Sequence, residues 1–171
     1  MVVYKAASRV GPTMNFPETI LASAQHPNGQ ESEVRINLDS GCQAAATTRA
    51  EAERQGLQIY QSDDVMCIEG IDGEVMETRD MAIMKIKADK RGSQILRIPV
   101  IVLPIEDSWF TPLPDNRPPW LSALAPRLAD PEVADPSVKR VQCHVILGSD
   151  WTNRLHTVSY THLTLPTIYS V

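Results

Sequence analysis

Val34-Arg35-Ile36-Asn37-Leu38-Asp39-Ser40-Gly41 is the stretch on which the fold turns. Its first five residues read as a buried strand, and the small residues Cys42, Ala44, Ala45 and Ala46 follow it. A carboxylate set where an apolar strand gives way to a tight turn needs partners, because burying a charge without them is costly. Ser40 can donate a hydroxyl hydrogen bond, and Gly41 lets backbone come close to the carboxylate. The same three residues also suit an ordinary surface turn between strands. Upstream, Thr19 to Gln25, the turn Pro27-Asn28-Gly29 and Glu33 to Leu38 predict an antiparallel pair, with Asn-Gly as the turn signal. That pair is expected to deliver Asp39 to the interior. Downstream, Thr48-Arg49-Ala50-Glu51 is a capping-box pattern and Gly56 a stop, which predicts a short helix over about Arg49 to Gln55. Its Arg and Glu side chains are expected on a solvated face.

Further along, Ile68-Glu69-Gly70-Ile71-Asp72-Gly73-Glu74-Val75 reads as a hairpin. Gly70 and Gly73 flank the two-residue tip Ile71-Asp72, between the arms Val65 to Ile68 and Val75 to Met84. Met81 to Ala88 alternates in part, as a half-buried strand does, and a charged turn at Asp89-Lys90-Arg91-Gly92 ends it. Ile95 to Leu103 is a strongly apolar strand whose Pro99 predicts an edge or a bulge. A proline-rich insertion occupies 104–139. Trp109, Phe110 and Trp120 are expected to pack it against the body, and Leu121 to Leu128 to form a short helix interrupted by Pro126. Val141 to Val145 reads as a strand leading into Ile146-Leu147-Gly148.

A chain of 171 residues is one domain by size and long enough to bury a core. Its formal net charge of −5 offers no basic footprint, so no nucleic-acid partner is expected. Thirteen prolines against eight glycines suit short strands and long connections better than a helical bundle. No apolar run approaches the ~20 residues of a membrane span, and the N-terminus lacks a charged-then-apolar signal pattern. The expectation is a soluble, intracellular protein. Cys42, Cys67 and Cys143 are odd in number and widely spaced, which predicts reduced thiols rather than a disulfide framework. Adjacent Cys143 and His144 lie on opposite faces of a strand, poor geometry for zinc. A Cys42 nucleophile with His144 as base is compatible with the spacing, but nothing local activates the thiol.

Asp39-Ser40-Gly41 with Gln43, the glycine-tipped hairpin, and Ile146-Leu147-Gly148 occur in an order that resembles the retropepsin-like aspartic proteases. With Leu128-Ala129-Asp130-Pro131 and Ser149-Asp150, the chain looks most like the protease segment of Bel-Pao-type LTR retrotransposon polyproteins, and the likeness runs from about Thr19 to His156. The resemblance implies a mainly β, retropepsin-like acid protease fold: closed barrel-like sheets with one or two short helices, one lobe per chain. Residues 1–18 would then be a flexible leader and 19–157 the protease domain. Asp39 would be catalytic, with Ser40 and Gly41 completing its loop and Ile146, Leu147 and Gly148 packing beneath it. Gly70, Ile71, Asp72 and Gly73 would be a flap that closes over peptide.

Two carboxylates share one proton in this chemistry. Only Asp39 is followed by Ser or Thr and then Gly, so the resemblance implies a homodimer with Asp39 facing its twin. It implies no cofactor and no metal, a polyprotein peptide as substrate, and a cytoplasmic or particle-enclosed setting. Many retroviral proteases carry an Asp–Arg salt bridge at the places held here by Gln43 and Ser149, so dimer support must come from elsewhere. A catalytically inactive peptide-binding or dimerisation module of the same fold is the alternative. Val158-Ser159-Tyr160-Thr161-His162-Leu163 resembles a translated sequencing adaptor, so 158–171 is expected to be a non-native tail. Because the family's termini build much of its dimer sheet, such a tail would weaken dimerisation.

Overall fold

The computed structural model describes residues 18–69, 75–87, 94–107 and 109–152, with Trp109 by its backbone alone. The leader, the hairpin tip Gly70 to Gly73 and the tail lie outside the described residues. The elements are β1 (Thr19–Gln25), β2 (Glu31–Leu38), β3 (Ala46–Thr48), α1 (Arg49–Arg54), β4 (Tyr60–Glu69), β5 (Val75–Lys87), β6 (Ile95–Leu103), β7 (Trp109–Pro112), α2 (Pro119–Leu124), β8 (Arg140–Cys143) and β9 (Val145–Leu147). A helical turn opens at 149–152.

The chain is mainly β. Seven strands form one sheet in the order β1-β2-β9-β3-β6-β5-β4, and pairing of β1 with β5 closes the first six into a barrel. β7 and β8 form a separate two-stranded sheet. Alternation explains the core: Val34 and Ile36 of β2, Met84 of β5, Ile98, Val100 and Val102 of β6, and Val145 and Leu147 of β9 fill the barrel. The opposite faces of β6 and β9 send Ile101, Leu103 and Ile146 into a second cluster with Cys42, Ala46 and Ile68. Strands buried on both faces read as unbroken apolar runs, which is why Val100 to Leu103 carries no polar residue.

Several details differ from the sequence reading. The stretch Val141 to Val145 is two strands, not one. It breaks at His144, whose N–H donates to Arg35 O and whose Nδ1 accepts from Arg35 N–H at 2.8 Å, so that β8 goes to the small sheet and β9 into the barrel. Pro99 lies on a strand in the middle of the sheet order. However, among the described residues β3 flanks β6 only over Ile101 to Leu103, so Pro99 falls where β6 has one strand neighbour and its missing N–H costs no ladder bond. Phe110 and Trp120 do not pin the insertion: they are 43% and 63% exposed. α2 starts at Pro119, a first-turn position that suits proline, and stops at Leu124 before a 3-10 turn that contains Pro126. Among the described residues no helix is long and apolar enough to cross a membrane.

An ion pair ties the insertion to β2. Asp130, 1% exposed, accepts from Arg35 Nε at 2.6 Å and Nη2 at 3.2 Å and from Thr19 Oγ1 at 2.7 Å. Arg35 also donates to Gln142 O and to Glu132, and its charge is held by these carboxylates against the cost of burial. The Ala129 carbonyl accepts from Leu21 N–H on β1. Removing one member of a buried pair strands the other charge, a loss of several kcal/mol. Asp130→Ala is therefore expected to lower unfolding stability by about 3 kcal/mol in a denaturant melt. Arg35→Met with Asp130→Leu, which removes both charges, should cost less than Asp130→Ala alone.

Candidate active site

Asp39-Ser40-Gly41 forms a tight turn between β2 and β3. Gly41 N–H donates to Asp39 Oδ1 at 2.9 Å, and Cys42 N–H donates to Asp39 O at 3.1 Å. Among the described residues nothing else bonds to the carboxylate. The sequence reading placed Asp39 in the interior. Within one chain it is instead half-buried, with Ser40 and Gly41 exposed, because the turn lies at the rim of the barrel rather than inside it.

The far side of the turn is held tightly. β9 lies between β2 and β3, parallel to the first and antiparallel to the second, and so ties together the two strands that carry the loop. Asp39 N–H donates to Leu147 O at 3.0 Å, and Ser149 N–H donates to Cys42 O at 2.7 Å. A Cβ added at Gly148 would lie 2.6 Å from Ala44 N, 2.8 Å from Ala44 O and 2.8 Å from Cys42 O. Backbone atoms cannot give way at such distances, so only glycine fits. The structure thus brings Ile146, Leu147 and Gly148 against Asp39, Ser40 and Gly41. It brings the Gln43 and Ser149 positions together through a backbone hydrogen bond next to Gln43, not through a salt bridge.

α1 follows directly. Thr48 Oγ1 accepts from Glu51 N–H, and Gly56 closes the helix with φ of +62°. The solvated-face expectation fails at Glu51, which is 5% exposed and accepts from Arg54 and from Gln55 Nε2. A helix of six residues packed against β3 and β6 turns its first-turn acid inward, where Arg54 and Gln55 offset the burial.

β4 and β5 pair antiparallel as far as Glu69 and Val75, with a bulge between Gln61 and Met66. Between β4 and the site loop is a cleft of about 350 Å³, lined by Gln43, Ala44, Val65 to Ile68 and Ile101. Its β4 and β6 walls escaped the sequence reading. The apolar arm Val65 to Ile68 was visible, but nothing in sequence says that it faces Gln43 rather than solvent.

The Cys42–His144 arrangement is absent. Cys42 Sγ donates to Ala44 O, and burial pushes the thiol up to about 11, so it stays protonated. His144 Nδ1 is already occupied by Arg35 N–H. The sequence matches no protein-family model and no curated protein.

Two outcomes follow. Gly148→Ala is expected to destabilise the fold by about 1–3 kcal/mol, the range for overpacking, and to shift the backbone amide signals of Cys42 and Ala44 more than those of β4. Burial also lowers the His144 pKa below its ordinary 6.5. The unfolded chain therefore binds a proton that the native chain refuses: this contribution to stability is complete above pH 6.5 and is lost as pH falls below it. His144→Asn keeps an acceptor for Arg35 N–H but cannot titrate. Its denaturant midpoint should fall less than that of the wild type on acidification from neutral pH.

Proposed function

We propose that the chain is an aspartic endopeptidase of the retropepsin-like kind, active as a homodimer, whose substrate is the polyprotein of an LTR retrotransposon. The observation that carries this reading is the Asp39-Ser40-Gly41 turn, open to solvent on one side and clamped on the other by β9 and Gly148. A rigid loop with a half-buried carboxylate at an open rim is what a shared site needs from each half. The closed six-stranded barrel and the cleft that β4, paired with β5, lines beside the loop support it further.

In the dimer, the two Asp39 carboxylates lie close enough that like charge keeps one proton between them. They titrate as a coupled pair. The ionised member takes a proton from a water molecule as its oxygen attacks the scissile carbonyl carbon. The protonated member donates a hydrogen bond to the carbonyl oxygen, where negative charge develops. Collapse of the tetrahedral intermediate breaks the C–N bond, and the amine leaves with the proton first taken from water. Gly41 N–H on Asp39 Oδ1 fixes the carboxylate plane, so little reorganisation accompanies each transfer. Peptide in extended form would lie between the loop and the β4–β5 hairpin, with an apolar side chain in the 350 Å³ cleft.

The test is hydrolysis of flanking-polyprotein peptides at mildly acidic pH, comparing wild type with Asp39→Asn. Wild type alone should cleave, with specific activity that rises with chain concentration as the dimer forms. Asp39→Asn should lose at least about a thousandfold, the scale of removing an essential acid/base. Equal activity in both, or none in a wild type that sedimentation shows to be dimeric, would overturn the reading; the second outcome would favour the inactive peptide-binding module.

A further inference from the structure

The outer face of β5 and β6 carries a feature that the barrel does not use. Ladder register sets Ile83 opposite Pro99, Lys85 opposite Arg97 and Lys87 opposite Ile95. These six share one face, since the intervening Ala82, Met84, Ile86, Ile98 and Val100 point into the barrel. Ile83, Ile95, Pro99 and Arg97 are exposed. Lys87 is matched by Glu31. Among the described residues Lys85 and Arg97 have no ion pair and no hydrogen bond. Like charges directly opposite each other on a ladder are unfavourable, so this pair costs the sheet stability and gains nothing within it. In a chain of net charge −5, a cationic pair set among exposed aliphatic side chains is a local inversion of sign.

The face is also continuous with the cleft. Ile101, opposite Met81 at the far end of the same row, is one of the cleft's lining residues. From Met81 to Lys87 is six strand steps, roughly 20 Å at the usual rise, enough to accompany about six residues of extended peptide. We infer that the β5–β6 face is an extension of the substrate site that takes an acidic, extended segment of the substrate, remote from the scissile bond, through Lys85 and Arg97 with Ile83, Pro99 and Ile95 as apolar contacts. This rests on the protease reading for the identity of its ligand. Opposite charge gives such a face selectivity and faster association more than raw affinity.

The experiment separates the two. Binding is measured by fluorescence anisotropy at low salt on the Asp39→Asn chain, with labelled twelve-residue peptides that alternate Val with Glu, with Gln or with Lys. Lys85→Glu with Arg97→Glu is the main variant, and Lys85→Gln with Arg97→Gln guards against a folding defect. The Glu peptide should bind about tenfold more tightly than the Gln peptide, lose that margin in the Gln variant, and yield to the Lys peptide in the Glu variant. Equal binding of Glu and Gln peptides, or a preference unchanged by the variants, overturns the inference. So does loss of self-association in the variants without any change in peptide binding, which would assign the face to a second copy. Hydrolysis of a peptide library by the wild-type chain is read alongside. If a wild-type chain that sedimentation shows to be dimeric cleaves nothing while the acidic peptide still binds through Lys85 and Arg97, the protease reading fails and the docking face stands.

Discussion

The close approach of Gly148 to the backbone of Cys42 and Ala44 is the constraint on which the site depends. β9 can lie between β2 and β3 only if its end passes under the loop that joins them, and a single added methyl would meet three backbone atoms at 2.6–2.8 Å. With glycine there, Asp39 N–H reaches Leu147 O and Ser149 N–H reaches Cys42 O, so the loop is bonded at both ends. The Asp39-Ser40-Gly41 turn, half-buried at Asp39 and exposed at Ser40 and Gly41, is therefore held firmly without being fully buried. That combination is what the proposed two-chain site asks of each half.

A second constraint ties the long insertion to the same strand. Arg35 lies four residues before Asp39 and is satisfied on every side: Asp130 and Glu132 at its guanidinium, Gln142 O at Nη1, and His144 across its backbone. A buried ion pair contributes little net stability against an apolar replacement, but it is specific about what may sit where. Here it fixes residues 129–132 over β1 and β2 and so links the insertion to the strand that ends at the candidate catalytic residue. His144 adds a dependence on pH, because protonating Nδ1 would remove the acceptor of Arg35 N–H.

Much of this was legible in the chain. Local signals worked where local physics decides: Asn28-Gly29 turned the first hairpin with Gly29 at φ of +85°, Thr48 and Gly56 bounded α1, and the alternation over Met81 to Ala88 put Met84 and Ile86 on the buried face. What escaped was decided by partners far away in sequence. Glu51 looked like one more surface acid until Arg54 and Gln55 closed around it. His144 looked like the middle of a strand, but its bonds to Arg35, 109 residues earlier, split that strand between two sheets. Asp130 carried no local sign of an ion pair with a strand 95 residues away. Trp120 and Phe110 were assigned to packing, but the small core of this region is built from Leu113, Val133 and Val141, and both aromatic side chains stay exposed.

A site built from two chains binds one transition-state analogue for every two Asp39 carboxylates. Calorimetric titration of this chain with a statine-type transition-state analogue counts sites directly, whatever the cleavage preference. The proposed dimer should bind half an equivalent per chain, abolished by Asp39→Asn. One full equivalent per chain, or binding indifferent to Asp39, would contradict it.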